Sequence, residues 1–361
     1  MKITKIPGLG RFGVFVDDLD FNVLSDEEWH ELGKAHLQHL VTIIRNVKTS
    51  PQKFSDWMHK WGHGRQTIYG MYHDKYPEWS GNFQDVMLND IWEEEDKLSV
   101  STYIRLLEPV KNSDGEITKT LLRVSGKRSK LNLPLGMFAE GELLWHSNES
   151  GNYAFVPGVA LYAAENVTKS ATGFMTTSDY YETVSESFRS ELNEMILLHN
   201  FIPGRINPGL NSIQDNVMYK NMAPEKDAEI PLVVKSPGGI LGLHYSFNTV
   251  TGIKGCSQKE AEKILTKIRK GLEVNKYTYD HWYQNDGDIC IFDNSITQHR
   301  RLGETKDRLC YRYQFDYSCL QNDFWMPYLQ EPYQSRYVDR ITRVVKNLKI
   351  PNFKLPGKEV T

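Results

Sequence analysis

The run Gly287-Asp288-Ile289-Cys290-Ile291-Phe292-Asp293 is apolar over the length of one strand and stops abruptly at Asn294-Ser295. A polar turn follows and delivers a single histidine, His299. A second strand-like run, Arg308-Leu309-Cys310-Tyr311-Arg312-Tyr313-Gln314-Phe315, then carries two arginines four residues apart. Similar short β-rich runs occur at 120–124, 158–164 and 230–235, and residues 40–45 read as a buried strand. Short strands at scattered spacing with a few helices indicate a β-sandwich or barrel, not an alternating βαβ sheet.

The helices are marked at their starts. Ser25 with Glu28 forms a capping box opening a helix to about Gln38, and Ser257 with Glu260 forms another opening an amphipathic helix through Leu272. Ser50-Pro51 starts a third, which carries Phe54, Trp57 and Met58. Ser185 to His199 is expected to be helical, with Phe188, Leu192, Met195 and Ile196 on it. No repeat or linker is visible, so the chain reads as one domain over 1–361. A surface insertion at about 76–114 contains the solvated run Glu93-Glu94-Glu95-Asp96. Residues 337–349 form a candidate basic amphipathic helix.

Composition narrows the function classes. The formal charge is −3 with a quarter of the residues charged, which gives no electrostatic footprint for nucleic acid. Eight Trp and 19 Tyr argue against disorder. No apolar run reaches the roughly 18 residues of a membrane span, and the first residues lack the apolar core of a signal peptide. Cys256, Cys290, Cys310 and Cys319 show no CxxC pairing and read as reduced thiols. The expectation is a soluble, cytoplasmic protein acting on a small molecule, with no nucleic-acid or membrane partner. Its oligomeric state is left open, a homo-oligomer included.

An imidazole with a guanidinium about one strand away is what an iron enzyme needs to chelate a keto-dicarboxylate. Upstream, Leu143-Leu144-Trp145-His146-Ser147-Asn148 offers a second imidazole. On a strand, residues i and i+2 share a face, so His146 and residue 148 can point at one ion. With His299 they give the layout of a facial triad with open positions.

These motifs resemble those of the TauD/TfdA family of Fe(II)/2-oxoglutarate dioxygenases. Trp145-His146-Ser147 is similar to the start of its metal motif, Asp293-Asn294 through Thr297-Gln298-His299 to its distal motif, and Arg308 and Arg312 to its two downstream arginines. The resemblance spans nearly the whole chain apart from the insertion. It implies a mainly β fold with helical cover (α+β), built on a double-stranded β-helix, the jelly-roll core shared with cupins. It also implies Fe(II), 2-oxoglutarate and O2 as cofactor and co-substrates, with His146, residue 148 and His299 as metal ligands. Arg308 would pair bidentately with the distal carboxylate of 2-oxoglutarate, and Thr172 would hold the same group. Arg312 would lie near the keto-acid end or a substrate anion, counted with His146 and His299 in the catalytic set. Asp293 or Gln298 would set histidine tautomers. His63, His73 and His244 read as structural.

The family pattern has Asp or Glu where this chain has Asn148. An amide oxygen binds a hard divalent cation more weakly than a carboxylate and leaves the complex one charge more positive. Four readings follow: Asn148 ligates weakly; Glu149 substitutes through a bulge; the position takes chloride, as in related halogenases with Ala or Gly there; or turnover is lost and a 2-oxoglutarate-binding relative remains. The implied reaction is hydroxylation of an unactivated C–H bond with decarboxylation of 2-oxoglutarate to succinate. Arg312 suits a substrate anion, while Glu140 and Glu142 suit an amine, which together point to a small polar or amino-acid-like metabolite.

Overall fold

The computed structural model describes residues 1–65, 67, 110–111, 114–115, 117–128, 132, 135–150, 156–200, 227–274 and 276–319. Its largest sheet has seven strands: β1 (Lys2–Lys5), β2 (Val14–Asp17), β3 (Val41–Ile44), β6 (Leu121–Ser125), β8 (Gly158–Glu165), β16 (Ile289–Asp293) and β18 (Leu309–Phe315), in the order β1-β2-β3-β16-β8-β18-β6. Only β2 and β3 run parallel within it. A four-stranded sheet, β15-β9-β17-β7, holds β7 (Leu143–His146), β9 (Ser170–Thr176), β15 (Thr278–Trp282) and β17 (Thr297–Gly303). The rest is smaller. A hairpin joins β4 (Val110–Lys111) and β5 (Ile117–Thr118), and another joins β12 (Val233–Lys235) and β13 (Leu241–Leu243). A three-stranded sheet combines β10 (Ile196–His199), β11 (Ala228–Pro231) and β14 (Val250–Ile253).

Alternation along single strands divides the large sheet into two buried faces. On β16, Ile289 and Ile291 pack with the tryptophan-rich cluster of α1 (Asp26–His39) and α2 (Pro51–His59). Cys290 and Phe292 turn the other way, toward the four-stranded sheet, where the Phe292 and Phe174 rings lie 5.4 Å apart. On β18, Leu309, Tyr311, Tyr313 and Phe315 join the helical side, while Cys310 joins the inner layer. Residues 308 and 312 share the parity of Cys310, and both line a cavity between the sheets.

The helix starts follow their capping residues. Ser25 and Ser257 make reciprocal capping boxes with Glu28 and Glu260, and Ser50 accepts from Lys53 N–H ahead of Pro51. The outer cover is anchored by Trp29, Trp57 and Trp61, with Trp57 4.3 Å and Trp61 5.1 Å from Trp29. Full burial of a large apolar side chain contributes roughly 1.5–3 kcal/mol. Helix α5 (Gln258–Leu272) buries Ala261, Leu265, Ile268 and Leu272 in a separate cluster with Leu197 and Val250.

Two sequence expectations need correction here. The segment 185–199 is not one helix. A short helix α3 (Ser178–Thr183) precedes α4 (Glu186–Glu194), Met195 turns extended, and Ile196–His199 becomes the central strand β10. A buried four-residue apolar run has no periodicity that separates helix from strand, and pairing with β11 and β14 decided it. The run 230–235 is split at Leu232 into β11 and β12. Nearly all of the expected insertion, His73 and the whole of 337–349 lie outside the described residues. Among the described residues no helix is long and apolar enough to cross a membrane. All four cysteines are free thiols.

Candidate active site

Strands β7 and β17 pair antiparallel with His146 directly opposite His299, and the two ring centroids are 4.0 Å apart. Each histidine is thus fixed by a backbone ladder, with the facing register bringing imidazoles 153 positions apart in sequence together. His146 Nδ1 donates to Leu144 C=O at 2.7 Å, which leaves its Nε2 as the lone-pair nitrogen. Burial pushes the His146 imidazolium down to about 4, with the Arg312 and Arg301 guanidiniums adding to the effect. His299 is held well below the usual histidine range by burial, His146 and Arg312. Both rings are therefore neutral at pH 7, the form that ligates a metal.

Residue 148 is not on the strand. β7 ends at His146, and Asn148 sits in the turn that follows. The same-face argument therefore does not place it; a side chain does. Asn294 Oδ1 accepts from Asn148 N–H at 2.9 Å, while Asn294 Nδ2 donates to Asn148 C=O and Val156 C=O, each at 3.0 Å. Asn148 is buried, and its Nδ2 has no hydrogen-bond partner among the described residues. Glu149 takes positive φ (66°) and turns to Arg65 at 2.7 Å and Arg312 at 3.8 Å. That engagement commits the Glu149 carboxylate to two guanidiniums. Among the described residues no three His, Cys, Asp or Glu side chains cluster, and the residue two positions past His146 carries an amide.

The turn between β16 and β17 carries the chain from the large sheet to the small one. Asp293 Oδ1 makes the corner by accepting from the backbone N–H of Ser295 and Ile296, each at 2.9 Å. Burial raises the Asp293 carboxyl to about 7 against those hydrogen bonds. Gln298 donates to Ser147 Oγ at 2.7 Å. Neither residue sets a histidine tautomer as expected; for His146, the Leu144 carbonyl does so.

A cavity open to solvent joins these groups to Arg308, Arg312 and Thr172. Arg308 is 2% exposed, and its guanidinium makes no hydrogen bond or ion pair with any described residue. A buried guanidinium without a partner is costly, and an anion entering the cavity would offset that cost. The Thr172 and Tyr283 hydroxyls lie 2.6 Å apart, and Tyr283 OH reaches Cys290 Sγ at 3.7 Å.

Several residues escaped sequence reasoning. Arg301, two residues past His299 on the same face of β17, donates to the carbonyls of Phe138, Glu140 and Gly141 and pins the loop before β7. Its i+2 spacing was the available signal. Arg300 forms a bidentate pair with Asp280 (2.9 and 2.6 Å) and stacks on Trp145 at 4.3 Å. Gly173 opposite it is required, since a Cβ there would meet Asp280 Oδ1 at 2.3 Å. Tyr283 and the Asn294 clamp carried no local signal. Glu140 pairs instead with Arg128 and Glu142 accepts from Gly303 N–H; neither lines the cavity, nor do His63 and His244. Among the described lining residues there are four arginines and no Asp or Glu.

The family model described as taurine catabolism dioxygenase TauD, TfdA family matches residues 3–313. The chain belongs to this family. Membership makes it, in general kind, a 2-oxoglutarate-dependent oxygenase of the TauD/TfdA group. Among solved structures of this fold, AAD-2 in complex with Mn(II) and N-oxalylglycine is similar at 15% identity and a TM-score of 0.55, covering 87% of this chain and 97% of that one. A taurine dioxygenase from Burkholderia xenovorans is similar at 15% identity and a TM-score of 0.56, covering 87% and 89%. No curated protein matches the sequence.

Proposed function

We propose that this TauD/TfdA-family protein is an Fe(II)/2-oxoglutarate-dependent hydroxylase of a small polar metabolite, working in a single domain whose facing sheets form a double-stranded β-helix. The observation that carries the reading is Arg308: a buried guanidinium, unpaired among the described residues, on the same cavity as two facing, neutral histidines. His146, His299 and Asn148 would hold the metal, whose chemistry when bound is to activate O2 at the expense of 2-oxoglutarate.

The chain's own residues supply position and exclusion of water. Arg308 presents a planar fork that matches a carboxylate, and the Tyr283 hydroxyl orients that of Thr172 beside it. Val159, Leu161 and Phe292 form a dry wall around the pair. Asn148 is bulkier than the Ala or Gly of the related halogenases, which favours hydroxylation over halogenation. Four arginines and no acidic side chain among the described lining residues support a substrate with an anionic group. The amine partners expected from Glu140 and Glu142 give no support, so only the carboxylate half of an amino-acid-like substrate is retained.

Anaerobic titration with Fe(II) and 2-oxoglutarate tests the reading. A weak visible charge-transfer band in wild type, absent in Arg308→Ala, is expected, followed by succinate formation on admitting oxygen. A band without succinate would leave a non-catalytic binder; no binding of 2-oxoglutarate would remove the reading.

A further inference from the structure

The wall of the cavity has an unusual charge balance for a place that receives a divalent cation. The three candidate donors, His146, His299 and Asn148, are all neutral. Arg300, Arg301, Arg308 and Arg312 also line the space, and no described lining residue is acidic. Two carboxylates behind the wall are already committed: Asp280 to Arg300 through two hydrogen bonds, and Glu149 to Arg65 at 2.7 Å and Arg312 at 3.8 Å. A bare dication entering such a site meets repulsion from the guanidiniums and no anionic ligand to offset its lost hydration. A dicarboxylate meets the reverse: Arg308 is buried and has no hydrogen-bond or ion-pair partner among the described residues, ready for an anion before any metal arrives.

We infer that metal and co-substrate load as a coupled pair, with the 2-oxoglutarate dianion docking on Arg308 first and serving as the anionic ligand that lets a divalent ion stay. This rests on the proposed 2-oxoglutarate reading and adds an order and a mutual dependence to it. Coupling is reciprocal, so the metal tightens 2-oxoglutarate by the same factor as 2-oxoglutarate tightens the metal. Asn148 is the residue that sets the coupling, because a carboxylate in its place would hold the ion alone.

The test is binding, not turnover. Mn(II) is titrated into the full-length protein in chloride-free buffer, with free Mn(II) read by electron paramagnetic resonance, with and without saturating 2-oxoglutarate. Calorimetry measures 2-oxoglutarate binding with and without Mn(II), in wild type, Asn148→Asp and Arg308→Ala. In wild type, 2-oxoglutarate is expected to tighten Mn(II) by about 100-fold, near the top of the usual range for coupled sites, and to bind measurably without metal. Asn148→Asp should hold Mn(II) without 2-oxoglutarate and show coupling reduced to less than about tenfold. Wild type holding Mn(II) equally well with and without 2-oxoglutarate would overturn the inference while leaving the proposed function standing. Failure of 2-oxoglutarate to bind wild type under any condition, or binding untouched by Arg308→Ala, would overturn both.

Discussion

Asn294 grips Asn148 by both ends of its backbone polar pair, accepting from its N–H at 2.9 Å and donating to its C=O at 3.0 Å. The amide of the distal motif thereby fixes the turn that follows the first histidine, across 146 positions of sequence. Asn294→Ala removes that grip and leaves buried backbone groups unsatisfied. Mn(II) affinity in the presence of 2-oxoglutarate should fall about 10- to 100-fold, the usual range for an outer-shell partner. Unchanged metal affinity with a lowered melting temperature would make Asn294 purely structural.

Arg308→Lys keeps the charge at the cavity but loses the fork. Charge-assisted hydrogen bonds contribute about 1.5–3 kcal/mol, so the Kd for 2-oxoglutarate should rise roughly 10- to 150-fold, and Arg308→Ala should do no better. Calorimetry decides, and a lysine variant within threefold of wild type would argue against bidentate recognition.

Tyr283→Phe deletes one hydroxyl, that facing Thr172 Oγ1 at 2.6 Å. The loss of about 1 kcal/mol should weaken 2-oxoglutarate roughly fivefold. In Thr172→Ala the same change should cost almost nothing, and a double-mutant cycle reads that coupling. Independent effects would show that the two hydroxyls do not act together.

Glu149→Gln separates the ion pair from the metal. Because Glu149 is turned to Arg65 and Arg312, metal affinity should stay within about twofold of wild type, the effect of a charge beyond direct contact. A drop of tenfold or more would mean that Glu149 reaches the ion after all.

Acid should unfold this protein. Burial holds His36 near about 3, His146 and His244 near about 4, and His199 and His299 well below the usual range, all from 6.5. A histidine whose folded pKa is depressed binds fewer protons folded than unfolded. Its contribution is therefore complete above pH 6.5 and is lost as pH falls toward the folded value. Asp293 runs the other way, raised from 3.8 to about 7, but it is one group against five. Urea midpoints should fall steeply from pH 6.5 to pH 4, and less steeply in His36→Gln. A flat profile over that window would contradict the buried neutral state of these rings.

What the sequence disclosed follows the range of the interactions involved. Capping boxes at Ser25 and Ser257 are satisfied within three residues, so both helices were legible. His146, His299, Arg308 and Arg312 were singled out from motifs that fix their spacing along or beside a strand, and the structure brings all four to one cavity. The wrong assignment of Ile196–His199, the reach of Asn294 and the Tyr283–Thr172 contact share one cause. Each is decided by partners far away in sequence, which local pattern does not encode. Glu149 shows the same limit. Its pairing with Arg65, more than eighty positions earlier, is invisible to a reading that sees only its place beside Asn148.

The alternation on β18 sets the odd-numbered residues of Leu309–Phe315 into the tryptophan cluster and the parity of Arg308 and Arg312 into the cavity. Sliding β18 by a single residue against β8 and β6 would exchange the two faces, burying guanidiniums among indoles and presenting Leu309 and Tyr311 to the cavity. Reading frame along this strand is thus shared property of the fold and the anion site. A single side chain such as Arg308 can be exchanged with the strand left in place, but the arginine pair cannot be turned out of the cavity by a slip of register without unmaking the core.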